Sequence, residues 1–353
     1  MKKLEKILKK IQPVDKNSFE KTQKQLDNLT KPAGSLGRLE EISKIVVAIT
    51  GKEKPKLNRK VVFVFAGDHG VTEENISAYP KEVTAQMVYN FIRGGAGINV
   101  LSRHEKVDVV VADLGVAQEL LKTKKLKIKK IAYGTKNFTK GPAMTKEEAI
   151  KSIEAGIEIF EEEYARKKID IVATGDMGIG NTTSSSAITS VITGSPVELV
   201  TGKGTGIDHA QLRHKIEIIK KAISVNKPEP KNAIDVLSKL GGFEIGGIVG
   251  VILAGAAKKI PVVIDGFISG ASALIAVLLN PLVKDYLIAG HISEEPGHKI
   301  QLEYLELKPI LNLNMRLGEG TGAVLAMNII DAACKILNEM ATFESAGVSK
   351  KKS

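Results

Sequence analysis

The sequence of 353 residues contains a single cysteine, Cys334, and no tryptophan. One thiol cannot form an intrachain disulfide, and it offers too few ligands for a cysteine-based zinc site. Disulfide-stapled scaffolds and zinc fingers are therefore excluded. The hydrophobic fraction of 43% and the charged fraction of 26% are typical of a globular protein rather than of a disordered chain.

The sequence also lacks a long hydrophobic run. Its most apolar stretch, 246–257, is shorter than the roughly 18 residues that a membrane-spanning helix needs, and Lys258 and Lys259 follow it. The amino-terminal MKKLEKILKK leads into further charged residues, without an apolar segment or a cleavage site behind it. We therefore expect a cytoplasmic protein with no membrane partner.

The net charge of +11 is concentrated at the two ends of the chain. Residues 1–60 carry 16 Lys and Arg against 7 Asp and Glu, three further lysines lie at 350–352, and the residues between are close to neutral. Neither basic end interleaves aromatic side chains on which bases could stack. We expect no nucleic-acid partner, and we interpret the lysine-rich stretch 121–130 as a solvated face or an edge.

Apolar, β-branched runs recur through the middle of the chain, and each ends in a turn that carries Gly or Asp. There are six such runs, at 61–70, 107–116, 169–180, 197–206, 260–270 and 286–293. Helix-length segments separate them, at 81–103, 145–164, 183–192, 208–224, 244–258 and 270–279. This alternation predicts an α/β fold with a doubly wound, mainly parallel, Rossmann-like sheet of about six strands.

The two ends of the chain show amphipathic helices at 19–29, 39–50 and 321–340, without strands of this kind. We predict a large α/β domain over residues 59–305 and a smaller helical domain formed by residues 1–58 together with 306–353. Ligands bind outside the carboxyl ends of the strands in such sheets, and the sequence places Gly, Asp, His, Asn and Thr there.

Three glycine-rich turns are candidates for holding a phosphate: GDMGIGNTT (175–183), TGKGTG (201–206) and GEGTG (318–322). The first follows a predicted strand and opens a helix, so backbone amides and a helix N-terminus converge there. None of the turns matches the P-loop or the dinucleotide fingerprint. A plain strand-to-helix turn remains the alternative.

Carboxylates at predicted strand ends and loop tips are the candidate acid and base groups: Asp68, Asp113, Asp176, Asp265 and Glu319. Glu319 is flanked by glycines, which leave its carboxylate open to a ligand. Its alternative role is to stabilise the helix N-terminus that follows. Asp68 and His69 could form a metal pair or a catalytic dyad, but we favour a hydrogen-bonded turn. The histidine spacings predict no metal site, and we expect Cys334 to be a buried, inert thiol.

Six motifs together resemble one family, the nicotinate-nucleotide:dimethylbenzimidazole phosphoribosyltransferases of cobalamin synthesis. They are TKPAGSLGRLE (30–40), AGDHGVTEENISAYPKEVTAQM (66–87), GDMGIGNTT (175–183), GKGTG (202–206), DGFISGASAL (265–274) and MRLGEGTGAVLA (315–326). The resemblance implies transfer of the 5-phosphoribosyl group of nicotinate mononucleotide to 5,6-dimethylbenzimidazole, with inversion at the anomeric carbon. The products are α-ribazole 5′-phosphate and nicotinate. The resemblance also implies a homodimer, with no cofactor or metal.

The resemblance assigns roles to individual residues. Glu319 is the implied general base, Asp176 is a secondary candidate where the family often has Glu, and Lys215 is a third. The implied phosphoribosyl contacts are Gly178, Gly180, Asn181, Thr182, Gly202, Lys203, Gly204 and Thr205, and the implied aromatic-base contacts are Ser77, Tyr79, Gln86, Met315 and Leu317. Two alternatives stay open: a phosphoribosyltransferase for another flat aromatic base, and a non-catalytic nucleotide-binding protein.

Overall fold

A computed structural model describes residues 2–204 and 206–349 of the chain. Its strands are β1 (Lys60–Gly67), β2 (Val107–Gly115), β3 (Leu126–Ile128), β4 (Ile171–Met177), β5 (Val262–Ile264) and β6 (Leu287–Ala289). Its α-helices are α1 (Lys2–Leu8), α2 (Ser18–Asp27), α3 (Arg38–Thr50), α4 (Val83–Arg93), α5 (Gly97–Glu105), α6 (Lys146–Arg166), α7 (Asn181–Thr193), α8 (Val197–Val200), α9 (His209–Asn226), α10 (Ala233–Leu240), α11 (Phe243–Ala257), α12 (Phe267–Leu279), α13 (Pro296–Tyr304) and α14 (Thr321–Glu339). Short 3-10 helices span Gly70–Glu74 and Pro281–Tyr286.

The strands form one parallel sheet in the order β3-β2-β1-β4-β5-β6. This is the doubly wound order, in which the chain builds one half of the sheet outward from β1 and then returns to build the other half from β4. The predicted α/β class is confirmed. Because the chain leaves β1 and β4 in opposite directions, a crevice opens beyond their carboxyl ends, and doubly wound sheets bind ligands there.

Side chains of β1 show why the strands are apolar throughout. Val61, Phe63 and Phe65 pack in a core with α6 and α11, whereas Val62 and Val64 pack in a second core with α3 and α14. Since successive side chains point to opposite faces of a strand, a sheet covered on both faces buries every residue. Helix α11, apolar all round, is buried along nearly its whole length between the sheet and α6. Among the described residues, no helix is long and apolar enough to cross a membrane.

Two elements differ from the sequence prediction. The predicted strand at 197–206 is wrong, because Val197–Val200 forms the short helix α8 after Pro196 and the glycine-rich turn follows it. The sixth strand is instead β3, which lies within the lysine-rich stretch 121–130 at the edge of the sheet. Lys127 in this strand pairs with Glu162 and Glu163. Charged side chains on an edge strand disfavour pairing with another chain.

The predicted helix at 81–103 is divided into α4 and α5. Gly94 ends α4 in the left-handed conformation, with φ of 85°, and Gly95 follows it. This conformation suits glycine and stops the helix. As a result, the N-terminus of α5 lies free of α4 and presents its first amides to another part of the chain.

The two ends of the chain come together through α2, α3 and α14. Leu26, Leu29, Val47 and Leu337 form a small separate core between them. Helix α1 packs instead against α6 and α11 in the main core, and α3 and α14 also cover one face of the sheet. The division into domains at residues 58 and 306 therefore stays a prediction, with α1 lying against helices of the predicted large domain.

Candidate active site

The loop that carries Glu319 lies across the carboxyl end of β4. A Cβ atom placed on Gly175 would overlap the carbonyl oxygen of Glu319, and one placed on Gly318 would lie 3.4 Å from Asp176 Oδ2. Two predicted catalytic carboxylates, Glu319 and Asp176, are therefore neighbours. They lie next to the crevice between β1 and β4, where the topology favours a ligand.

Glu319 has the left-handed backbone conformation, with φ of 63°, between Gly318 and Gly320, which have φ of 80° and 91°. A residue with a side chain adopts this conformation at a cost of about 1 kcal/mol or more. Asp265 holds the loop from below. Its Oδ2 accepts a hydrogen bond from the Gly320 amide at 3.2 Å, and its Oδ1 accepts one from the Ala323 amide at 2.9 Å. A buried carboxylate thus anchors the strained turn and the first turn of α14.

The Glu319 carboxylate is buried, with 4% of the residue exposed. Its Oε2 accepts a hydrogen bond of 3.0 Å from the Ile98 amide at the start of α5. Burial raises the pKa of Glu319 above its ordinary value, the Ile98 amide opposes this, and the negative charge of Asp265 adds to it. A glutamate with a raised pKa is a stronger base than an exposed one, as proton abstraction near neutral pH requires. The alternative prediction was that Glu319 stabilises the N-terminus of α14, the helix that follows it. Its carboxylate instead accepts a hydrogen bond from the N-terminus of a different helix, α5.

Asp176 is buried beside this loop. Its Oδ2 accepts a hydrogen bond of 2.9 Å from Asn181 Nδ2. Burial raises the pKa of Asp176 well above its ordinary value, and the neighbouring carboxylates Asp265 and Glu244 raise it further. The site therefore brings several carboxyl groups together, and each neighbouring negative charge disfavours ionisation of Asp176.

The other carboxylate candidates stabilise loops. Asp68 Oδ2 accepts a hydrogen bond from the Ala117 amide at 2.7 Å, and Asp113 Oδ1 accepts one from the Val116 amide at 2.8 Å. Asp113 also pairs with Lys130 at 3.1 Å. These bonds join the turns that follow β1 and β2, so both side chains have a structural explanation.

Lys215 brings two of the predicted phosphate loops together. It is buried on α9, with 1% exposed, and its Nζ donates to Thr182 Oγ1 at 2.9 Å and to the Gly202 carbonyl at 3.4 Å. Burial lowers the pKa of Lys215 to about 8, although the carboxylate of Glu295 opposes the shift. Thr182 and Gly202 are thus joined by a buried ammonium group, a type of group that commonly binds phosphate in proteins.

The loop at 201–204 is held from both sides. The Gly204 amide donates to Glu295 Oε1 at 2.8 Å, and Arg316 Nη1 donates to the Gly204 carbonyl at 3.2 Å. Lys203 is exposed, and its Nζ lies 3.5 Å from His209 Nε2. Thr205, predicted as a further phosphate contact, lies outside the described residues.

Sequence reasoning missed both residues that hold this loop. Arg316 lies inside the motif MRLGEGTG, between the predicted base contacts Met315 and Leu317. A cation beside a predicted phosphate loop could have identified it as a candidate. Glu295 gave no such signal, because it lies about 90 residues from the loop in the sequence and only the fold brings it close.

The remaining predicted phosphate residues pack inward at the turn after β4. A Cβ atom on Gly178 would overlap the Gly67 carbonyl, and one on Gly180 would lie 3.1 Å from His69 Cβ. Asn181 bonds to Asp176, as described above. Close packing of this turn against the end of β1 therefore accounts for the two glycines.

The predicted aromatic-base residues are only partly brought together. Leu317, 60% exposed, lies against Gly97 at the start of α5, where a Cβ atom would meet its Cδ2 at 2.9 Å. The carboxylate oxygen Glu319 Oε2 would lie 3.4 Å from this Cβ atom on Gly97. The side chains of Leu317 and Glu319 therefore both lie beside Gly97. The contribution of the others stays a prediction: Met315 is half-buried, Ser77 accepts a hydrogen bond from the Tyr79 amide, Tyr79 is 54% exposed and Gln86 is exposed on α4.

His69 is a buried residue whose environment the sequence did not reveal. Its ring lies between Ser184 and Glu244.

Among residues 2–204 and 206–349, no group of three or more His, Cys, Asp and Glu side chains could hold a metal ion. Cys334 is buried in α14, and burial raises the pKa of its thiol to about 12.

Comparison with known proteins gives concordant matches over nearly the whole chain. A family model described as phosphoribosyltransferase matches residues 11–348. The nicotinate-nucleotide–dimethylbenzimidazole phosphoribosyltransferase of Desulforudis audaxviator is 56% identical over 349 residues, 99% of both chains, and that of Geobacter sulfurreducens is 54% identical over 347 residues, 98% of both. The crystal structure of CobT from Thermus thermophilus matches with a TM-score of 0.92 at 45% identity, covering 95% of this chain and 100% of that one.

Proposed function

This chain belongs to the nicotinate-nucleotide–dimethylbenzimidazole phosphoribosyltransferase family, and on that premise we propose that its reaction takes place at the crevice beside Glu319. The enzyme transfers the 5-phosphoribosyl group of nicotinate mononucleotide to 5,6-dimethylbenzimidazole, giving α-ribazole 5′-phosphate and nicotinate. The observation that carries the location is the buried Glu319 carboxylate, held in a strained turn next to two loops that a buried lysine joins.

The bond changes follow from the substrates. A ring nitrogen of the benzimidazole forms a bond to C1′ of the ribose while the bond from C1′ to the pyridinium nitrogen breaks. The bonding pair goes to that nitrogen, so nicotinate leaves as a neutral ring and needs no acid. Attack from the face opposite the leaving group inverts C1′ from β to α.

Glu319 accepts the proton that the attacking benzimidazole loses. Its carboxylate is fixed by the Ile98 amide and the strained turn, so little reorganisation is needed at the moment of reaction. Leu317 beside it supplies an apolar wall for a flat ring, as pockets for aromatic ligands require.

The phosphate of the donor is held by Lys215, Thr182 and the loop at 202–204, with Lys203 and Arg316 near its entrance. A lysine with a pKa of about 8 is mostly protonated at neutral pH, and a phosphate dianion would favour the charged form further. Asp176, when ionised, would stabilise the positive charge that develops on the ribose ring. Anchoring one end of the donor in this way holds C1′ in line with the acceptor.

We propose further that the enzyme is a homodimer. Val100 on the first turn of α5 is 52% exposed, and Leu317, which lies against Gly97 at the start of the same helix, is 60% exposed. Large apolar side chains exposed together at a site mouth are typical of a surface that a partner covers. A second copy of this chain is the partner that the family resemblance implies.

The proposed function is tested by incubating the purified protein with nicotinate mononucleotide and 5,6-dimethylbenzimidazole, with no added metal, and separating the products by chromatography with mass detection. We expect equimolar nicotinate and a ribazole phosphate. Folded protein that releases no nicotinate with this acceptor, but does so with another flat base, would support the alternative acceptor. Release with no acceptor at all would contradict the proposal.

A further inference from the structure

His69 links three elements through two buried side-chain hydrogen bonds. Its Nδ1 lies 3.0 Å from Ser184 Oγ on α7, and its Nε2 lies 2.6 Å from Glu244 Oε1 on α11. Ser184 and Glu244 are fully buried and His69 is 2% exposed. The ring follows β1 directly, so it connects the end of that strand to the first turns of two helices.

The ring supports the underside of the turn after β4. A Cβ atom on Gly178 would lie 3.4 Å from both Cδ2 and Nε2 of His69, and one on Gly180 would lie 3.1 Å from its Cβ. Thr84 on α4 adds a second support, because its Oγ1 accepts from the Ile179 amide at 3.1 Å. The turn that precedes Thr182 therefore packs against His69 on the side away from the proposed phosphate.

A serine, a histidine and a glutamate in series resemble a hydrolytic triad, but these residues do not form one. Ser184 has no exposed surface, and it lies within the first turns of α7, where the helix backbone surrounds it. A nucleophile must reach a substrate. The chain of hydrogen bonds therefore has a different purpose.

We propose that His69 is a positioning residue that sets the phosphoribosyl-binding turn 177–182 through Ser184, with Glu244 fixing the orientation of the ring. The inference rests on the proposed function, since it assigns this turn to the donor phosphoribosyl group. Neither Ser184 nor Glu244 touches the substrate in this account.

The polarity of the two hydrogen bonds supports the assignment. Glu244 as a carboxylate only accepts, so Nε2 carries the hydrogen, and in the neutral ring Nδ1 then accepts from the Ser184 hydroxyl. One tautomer therefore satisfies both bonds, and the ring cannot rotate without losing them. A buried ring held at both ends fixes the spacing between the end of β1 and the first turn of α7, the helix that follows β4 beside the crevice.

The variant Ser184→Ala tests the inference with a matched control. It removes one hydroxyl from the His69 bond and changes little else. The control is Ser152→Ala, an identical substitution at an equally buried position on α6, where the hydroxyl donates to the Ala149 carbonyl. Both variants lose one buried hydrogen bond, so their thermal stabilities should fall by similar amounts.

We expect Ser184→Ala to raise the KM for nicotinate mononucleotide about tenfold, which corresponds to about 1.4 kcal/mol, while the KM for dimethylbenzimidazole stays within twofold of the parent. Ser152→Ala should leave both KM values within twofold. Equal effects of the two variants, or equal effects on both substrates, would overturn the positioning role. An inactive parent enzyme would instead refute the proposed function, so the two failures are distinguishable.

The variant His69→Gln gives an independent measurement. Its amide can bond to one neighbour but does not span both, so the KM for the donor should rise at least as far as in Ser184→Ala. The double variant should be no worse than His69→Gln alone, because both changes remove the same link. Additive effects in the double variant would overturn the proposal, since they would mean that Ser184 acts independently of His69.

Discussion

At the scale of single residues, the site depends on placing carboxylates where water does not reach them. Glu319 is buried in a left-handed turn, Asp265 anchors that turn, and Asp176 lies beside it. The charge of Asp265 raises the pKa of both Glu319 and Asp176, and the charge of Glu319 raises that of Asp176 further. The result is a base that is stronger than an exposed glutamate and that has a fixed direction.

The pH dependence of turnover follows from Glu319. The base acts when ionised, and its pKa lies above the ordinary value of 4.5, so kcat/KM should fall with decreasing pH through a limb that lies above pH 4.5. The acceptor also titrates, and its titration affects the rates of the parent and of Glu319→Gln alike. A comparison of the two proteins across pH therefore identifies the limb that belongs to Glu319. A limb of identical position and depth in the variant would show that Glu319 is not the titrating group.

The buried Asp176 side chain should lower the free energy of unfolding of the enzyme at neutral pH. The pKa of Asp176 in the folded state is raised above the ordinary value of 3.8. Between these two pKa values the folded state binds more protons than the unfolded state. The free energy of unfolding therefore falls as the pH rises through this interval. Asp176→Asn removes the titration while keeping an oxygen that accepts from Asn181. We expect a higher Tm than the parent at pH 7, by about 1 to 2 °C per kcal/mol gained, and a smaller difference below pH 4. Equal Tm values at pH 7 would contradict the buried-charge account.

At the scale of elements, the site is an assembly of turns at the carboxyl ends of strands, joined by residues that are distant in the sequence. The turn after β4 carries Thr182, the loop at 201–204 follows α8, and Lys215 on α9 joins the two. Arg316 and Glu295 hold the same loop from other elements. The proposed phosphate site is thus formed by residues from several separate parts of the chain.

The exposed Lys203 should act on the donor alone. Lys203→Ala removes a cation at the entrance of the proposed phosphate site without disturbing a buried contact, so the KM for nicotinate mononucleotide should rise several-fold, and the KM for the acceptor should not. Initial rates with each substrate varied in turn give both values. Equal changes in the two KM values would point to a general effect on the fold.

The sequence predicted most elements because their patterns were long and distinct. Continuous apolar runs mark the strands that are buried on both faces, such as β1 and β4. The two errors among the strands have physical causes: Val197–Val200 is mostly apolar, with valine at both ends, but only four residues long, and β3 has three residues among lysines. Periodicity cannot assign such short segments.

The site was predictable only where its residues share a motif. Glu319 was visible between two glycines, and Thr182 and Gly202 lay in glycine-rich turns. The anchors Asp265 and Glu295 and the support His69 act through partners at least 55 residues away in the sequence. No local pattern encodes such contacts, and only the topology of the sheet brings them together.

At the scale of the whole molecule, the doubly wound sheet determines where the chemistry lies. The order β3-β2-β1-β4-β5-β6 places the change of direction between β1 and β4. His69 follows the first of these strands, and Asp176 lies at the end of the second. Helix α14, from the carboxyl-terminal end of the chain, begins at the same edge and places Glu319 there. Residues far apart in the chain therefore converge on a single crevice.

The proposed homodimer is a property of the whole molecule and is measured in solution. Sedimentation velocity at micromolar concentration should give twice the chain mass of 37.9 kDa. Leu317→Asp, on the exposed surface beside α5, should shift the equilibrium toward the monomer because it places a charge on the surface that we expect the second copy to cover. Parent protein that sediments only at 37.9 kDa would refute the dimer.

The proton acceptor Glu319 is central to the proposed reaction, and the decisive measurement is the rate of nicotinate release by Glu319→Gln under saturating nicotinate mononucleotide and dimethylbenzimidazole. The amide keeps the size of the side chain and its acceptor for the Ile98 amide, but it cannot take a proton. We predict a turnover number at least about 10²-fold below the parent, with an unchanged dissociation constant for nicotinate mononucleotide. A turnover number within a few-fold of the parent would contradict the general-base assignment.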